Sequence, residues 1–298
     1  MPNRALAALW WAATVLTYGL VILGGFVTST ASGFGCGPDW PVCGGHLLPP
    51  ANIHADIEWS HRLVAGILTL LVLTATVVTF RLSKSRRARI LAGVGIILLL
   101  AQVALGAAIV LNGIPPLVVA IHDGVATAFL AILLVQALSV GTVPAAGRSR
   151  QGAPVLWAAA AVAWLTVVLG SYLAHLELHA TGFLTSVRVL GTAGGRYAIG
   201  PGWWHWIAAA LLLTLTGLAS HRARQLGPAR PWLIAAIVAL GFQAALGVLL
   251  LASGLAQLIL AIHEAVGVAT AVLFAAAAVR SAAWEPTAEG VGPSLARE

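Results

Sequence analysis

The sequence predicts an all-α integral membrane protein in which eight transmembrane helices form two four-helix bundles, the second a parallel repeat of the first. Three observations carry this. Of 298 residues, 60% are hydrophobic and 8% charged, with a mean hydropathy of +0.95, too apolar for an ordinary soluble surface. Apolar runs of about 20 residues, enough to cross a hydrocarbon core of about 30 Å as helices, recur at 7–28, 58–80, 90–111, 116–138, 154–174, 203–220, 232–252 and 257–280. Finally, residues of the first half return in the second at fixed offsets.

The first run follows Arg4 and is longer than the apolar region of a signal peptide, so it is expected as a retained helix. A net charge of +7 could suit nucleic acid, but its placement follows the spans instead. Arg4, then Arg81, Lys84, Arg86, Arg87 and Arg89, then Arg148 and Arg150, then Arg222, Arg224 and Arg230, then Arg280 and Arg297 all fall on one side. Only Arg62, Arg188 and Arg196 lie in or near the opposite loops. The positive-inside rule makes the basic side cytoplasmic and puts both termini there. The expectation is a multi-pass protein of the cell membrane, with lipid around it and no nucleic-acid partner.

Residues 29–57 form a long outer loop, rich in Gly and Pro and without Lys or Arg, that holds the chain's only cysteines, Cys36 and Cys43. Facing outward, they lie where disulfides persist. A bond between them would close a small loop, worth about 2.5 kcal/mol on the chain-entropy estimate. The pair reads either as a structural staple or as a reversible dithiol.

The repeat is the strongest internal signal. Gln102, Leu105, Gly106, Ile121 and His122 return as Gln243, Leu246, Gly247, Ile262 and His263, all at an offset of 141. Trp59 and His61 return as Trp203 and His205 at an offset of 144, and V-I-L-G-G-F-V at 21–27 returns loosely as V-V-L-G-S-Y-L at 167–173. A four-helix unit starts and ends on the same side, so the repeats run parallel. The expected division is an N-terminal bundle over 1–140, a cytoplasmic linker over 141–153, a C-terminal bundle over 154–280 and a polar, disordered tail over 281–298. Residues 175–202 are a second outer loop, matching the first in position but lacking cysteines.

Four of nine histidines, His61, His122, His205 and His263, fall inside helices 2, 4, 6 and 8, while His46, His54, His175, His179 and His221 fall in loops or at helix ends. The four lie a few residues inside the outer end of an even-numbered helix, so they share roughly one depth. Two histidines on different helices at matched height suit the two axial positions of one haem iron. One such histidine could simply hydrogen-bond between helices, but ionisable residues at membrane depth are costly, and repetition at both positions in both halves favours ligation. Zinc is disfavoured, because two histidines per bundle fall short of its usual three or four protein ligands.

Glu58 precedes His61 by one helical turn and shares its face. Its counterpart at the offset of 144 is Gly202, so only the first half carries a carboxylate there. Above a haem it would act as a base or stabilise positive charge; otherwise it is a helix-end acid favourable to the macrodipole. Arg62 either pairs with a haem propionate or snorkels to the outer interface. Asp123 and Glu264 directly follow their histidines, point elsewhere and are expected to be structural. Gly106, Gly124, Gly247 and Gly267 are expected to permit close approach of a helix or macrocycle.

Over nearly its full length the chain resembles the heme A synthase family, through G-C-G-P-D-W-P-V-C-G-G in the outer loop, I-E-W-S-H-R opening helix 2, and the two A-I-H segments of helices 4 and 8. The resemblance implies oxidation of a ring methyl group of heme O to a formyl group, giving heme A for a terminal oxidase. It further implies a substrate site in the N-terminal bundle at His61 and His122, with Glu58 as the catalytic carboxylate. A heme b cofactor would sit on His205 and His263, and Cys36 and Cys43 would be the family's outer-loop pair, associated with electron or haem transfer. Implied partners are heme O synthase and the cytochrome oxidase assembly pathway, and the resemblance leaves room for an oligomer. The family usually reads C-P-D-W, so Gly37 is an addition that bears on the loop's geometry.

The alternative from another class is a diheme b-type membrane electron carrier that exchanges electrons with quinone and leaves haem unchanged. A thiol-disulfide and quinone oxidoreductase is disfavoured by the lack of a second cysteine pair. A transporter is disfavoured because no helix is evidently broken at mid-membrane.

Overall fold

The computed structural model describes residues 4–140, 153–179, 201–221, 226–253 and 256–282. Most of the expected linker and second outer loop, and nearly all of the polar tail, lie outside these residues. So do Arg148, Arg150, Arg188, Arg196, Arg222, Arg224 and Arg297.

The named elements among the described residues are all helices: α1 (Arg4–Ser29), α2 (Ile53–Leu82), α3 (Arg86–Leu111), α4 (Pro116–Val140), α5 (Ala153–His179), α6 (Pro201–His221), α7 (Arg230–Ala252) and α8 (Gln257–Ala282), with a 3-10 turn at Gly227–Ala229 leading into α7. All eight are long and apolar enough to cross a membrane, and the chain is a multi-pass membrane protein.

Local chemistry sets the helix ends. The Asn52 side chain caps α2 by accepting from the His54 N–H at 2.9 Å, and Ser85 caps α3 by accepting from the Ala88 N–H at 3.3 Å. Helix α3 stops at Asn112-Gly113, where φ is +78° at Gly113, and Pro116 opens α4. With 30 residues, α2 exceeds the roughly 20 that a bilayer core requires. Its surplus begins at Ile53, beside the 30–52 loop.

Helix α1 packs on α2 and α4, and α3 packs on the same two. Helix α5 packs on α6 and α8, and α7 on α8, while the halves meet through α4–α5, α1–α8 and α4–α8. The basic residues Arg4, Arg81, Lys84, Arg86, Arg87, Arg89, Arg230 and Arg280 fall at the helix ends away from the 30–52 loop.

The apolar core is concentrated toward that basic end. In the first half it comprises Leu6, Trp10, Leu68, Val72, Leu99, Phe129 and Leu133, and in the second Leu156, Leu212, Leu233, Leu240 and Phe274. Between the halves, Leu130, Leu134 and Leu138 of α4 meet Val167 of α5 and Val268 and Val272 of α8. The indole of Trp10 donates to Thr79 Oγ1 at 3.0 Å, and Gln136 Nε2 donates to the Ala88 carbonyl at 3.0 Å. These bonds satisfy polar groups that would be costly if left unpaired in an apolar interior.

Candidate functional site

Helices α2, α4, α6 and α8 all begin at the loop end, and each carries its histidine within three turns of its start: His61, His122, His205 and His263. Each histidine lies against a glycine of the preceding helix. A Cβ on Gly24 would stand 3.4 Å from His61 Nε2, and one on Gly106 would stand 3.7 Å from His122 Cε1. In the second half the corresponding figures are 3.0 Å from Gly170 to His205 Cε1 and 3.3 Å from Gly247 to His263 Cε1. The glycines follow the sequence repeat, yet Gly24 and Gly170 had no assigned role there; their recurrence beside V-x-L was the available signal.

Within each half the two rings lie within electrostatic reach, His61 of His122 and His263 of His205. All four residues are half-buried. The next large side chain of the buried core on the same helix is Leu68 after His61, Phe129 after His122, Leu212 after His205 and Val268 after His263, roughly one and a half to two turns on.

These residues fit a haem iron. A paired imidazole set suits axial ligation, and among the described residues no group of three or more His, Cys, Asp or Glu forms the cage of a bare metal ion. His205 Nδ1 lies 3.0 Å from the Thr166 carbonyl. A ring nitrogen facing a carbonyl must carry the proton, which leaves Nε2 with the lone pair that a metal takes. His122 Nδ1 is buried without a hydrogen-bond partner among the described residues, whereas the His263 ring faces the backbone of Gln243.

Above the first pair, Cys36 and Cys43 form a disulfide. Both are buried against Ala55 of α2, with Trp59 packed alongside. The added Gly37 takes φ +70°, a backbone conformation that favours glycine, as do Gly44 at +58° and Gly45 at +78°. Glu58 is 4% exposed. Its Oε2 accepts from the Cys36 N–H at 2.8 Å, and its Oε1 pairs with Arg62 Nη2 at 2.5 Å. The other arm of Arg62 donates to the carbonyls of Val42 at 2.5 Å, Asp39 at 2.9 Å and Pro41 at 3.3 Å. The guanidinium therefore bridges Glu58 and the loop.

Asp123 and Glu264 meet each other at the α4–α8 contact. Asp123 also accepts from the Ser171 hydroxyl of α5, and Glu264 Oε2 lies 3.5 Å from where a Cβ on Gly25 would stand. His175 is expected from the sequence in a loop or at a helix end. The structure instead encloses it in α5, with Nδ1 at 2.8 Å from the Ser171 carbonyl and Nε2 at 3.5 Å from Thr28 Oγ1 of α1. Gly124 works as expected, since a Cβ there would come within 2.7 Å of Val168 Cγ2 on α5.

Residues 7–182 match the COX15-CtaA family, described as cytochrome oxidase assembly protein. A heme A synthase of Bacillus licheniformis is 37% identical over 138 residues, covering 46% of this chain and 46% of that protein. One from Lysinibacillus sphaericus is 42% identical over 130 residues, covering 42% of each. A third, from Symbiobacterium thermophilum, is 33% identical over 239 residues, covering 75% of this chain and 77% of that protein. The chain thus spans under half the length of the first two relatives and about three-quarters of the third.

Proposed function

The chain belongs to the COX15-CtaA family of cytochrome oxidase assembly proteins, and from that premise we propose that it is a heme A synthase, oxidising a ring methyl group of heme O to a formyl group. The observation that carries this reading is an inequality. Both halves hold a pair of histidines against glycines, but only the first sets a buried carboxylate, Glu58, one turn from its histidine.

In this reading the halves are two bundles, residues 1–140 and 154–280. His61 and His122 hold heme O as substrate, and Glu58 is the carboxylate that accepts a proton or stabilises positive charge beside it. His205 and His263 hold a heme b, which supplies one-electron redox capacity when bound. The half-buried rings leave substrate a way in, and the core below them keeps the site shallow. The basic helix ends face the cytoplasm of a cell membrane, so the disulfide loop faces outward. Heme O comes from a heme O synthase, and the product serves oxidase assembly.

The test is to extract haems from membranes carrying the protein, with and without a heme O supply, and identify them by chromatography. Heme A that appears only with heme O, and is lost in Glu58→Gln while heme b persists, is the expected result. Two hemes b and no heme A under either condition would return the protein to the diheme electron carriers.

A further inference from the structure

The disulfide loop and Glu58 are tied together more closely than a staple requires. Both carboxylate oxygens are engaged, Oε2 by the Cys36 N–H and Oε1 by Arg62. Arg62 spans the gap between the carboxylate and three carbonyls of the segment closed by the disulfide. Such a bridge needs several donors in a rigid fork, which guanidinium has and ammonium lacks.

The loop's own bonds fix where the Cys36 N–H stands. The Gly44 N–H donates to the Cys36 carbonyl at 3.0 Å, and Cys43 and His46 exchange backbone bonds at 2.8 and 3.1 Å. At Gly35 any Cβ would run into the His54 carbonyl, so the backbone lies directly on the first turn of α2. The repeat isolates the device as a unit. At the offset of 144 the second half has Gly202 for Glu58 and Trp206 for Arg62, and it has no cysteine.

We propose that Arg62 and the backbone N–H of Cys36 are the positioning groups of Glu58, so that the disulfide-closed loop, and not α2 alone, sets where the carboxylate stands. The proposal rests on the reading of Glu58 as the reacting carboxylate. Opening the disulfide would withdraw one of the carboxylate's two anchors and loosen the other. The loop then acts on the reaction through position.

The test uses full-length protein in two arms. In the first, the disulfide is exposed to dithiothreitol, quenched by alkylation at intervals and weighed by mass spectrometry, in wild type, Glu58→Ala, Arg62→Met and the double variant. Each single change should speed reduction about tenfold or more, as expected for loss of a charge-assisted bond. The double variant should be no faster than the faster single, because the two residues form one bridge. A wild-type rate in Glu58→Ala, or effects that multiply in the double variant, would overturn the proposal.

In the second arm, Arg62→Met should still show heme O bound at the first half and heme b at the second, with the disulfide intact and conversion down about tenfold or more. Loss of heme O binding together with conversion would make Arg62 merely structural and overturn the proposal. Full conversion in Arg62→Met, with Glu58→Gln inactive, would overturn it while leaving the synthase reading standing. If wild type itself made no heme A, that reading would fall, and with it the positioning of a reacting group; the first arm would then measure a structural latch.

Discussion

In the first half, His61 stands against Gly24, one turn from a carboxylate held under a disulfide loop; in the second, His205 stands against Gly170, with Gly202 and the exposed Trp206 where the carboxylate and its arginine would be. The shared part is a way of holding an imidazole, namely against a glycine on the preceding helix. The unshared part is confined to the opening turns of α2 and the loop they carry. On the proposed function, the two halves would keep equivalent histidine pairs and differ in chemistry through changes in a single short stretch.

The largest effect is expected at the second pair of histidines. If His205 and His263 hold heme b as proposed, His205→Ala or His263→Ala would remove one of its ligands and should abolish the low-spin heme b spectrum while the protein remains in the membrane. A normal bis-histidine spectrum in either variant would mean that heme b does not sit on these residues.

A smaller effect, restricted to the first half, is expected from the cysteines. Cys36→Ser with Cys43→Ser should destabilise the loop by about 2.5 kcal/mol on the chain-entropy estimate. Hydrogen exchange should therefore rise at residues 32–58, and the heme b spectrum should not change. Equal loss of protection in α6 and α8 would show that the loop supports the whole fold and not one half.

Between the halves, Ser171 replaces the glycine found at Gly25, and its hydroxyl is given to Asp123. Ser171→Ala leaves that carboxylate a donor short at a half-buried contact, and should cost about 2 kcal/mol. His175 bonds the backbone carbonyl of the same residue and should keep its place. A thermal unfolding transition unmoved by Ser171→Ala would indicate that the seam between the halves is held by its apolar contacts alone.

Much of this was legible in the chain. The eight spans emerge within a few residues because bilayer thickness dictates the length of an apolar run, and the histidines emerge because they repeat. Where prediction and structure part, a polar group has a partner that hydropathy does not register. Helix α2 starts at Ile53 and not 58 because Asn52 caps it and the loop sheaths its first turns. Helix α5 runs on to His179, past the expected 174, and Thr28 of α1 receives His175. The partners of Glu58 and Arg62 were hidden for another reason. They are backbone groups of a loop without period, shaped by turns at Gly37, Gly44 and Gly45, and no pattern of side chains announces them.

The smallest expected effect separates the two halves at their shared glycine. A methyl group on Gly170 would stand 3.0 Å from the His205 ring, closer than carbon atoms pack without adjustment, whereas one on Gly24 would stand 3.4 Å from His61, an ordinary contact. His205 cannot slide away freely, because moving the ring stretches its 3.0 Å bond to the Thr166 carbonyl. Gly170→Ala should therefore cost about 1 kcal/mol at the ligand, near the low end for overpacking. It should be read as a roughly fivefold weaker hold on heme b. Gly24→Ala should leave heme O binding within about twofold of wild type, since no atom must move. Titrating each haem into the corresponding variant measures both. Equal losses at the two glycines would mean that the halves grip their histidines alike and that the tighter contact at Gly170 has no energetic consequence.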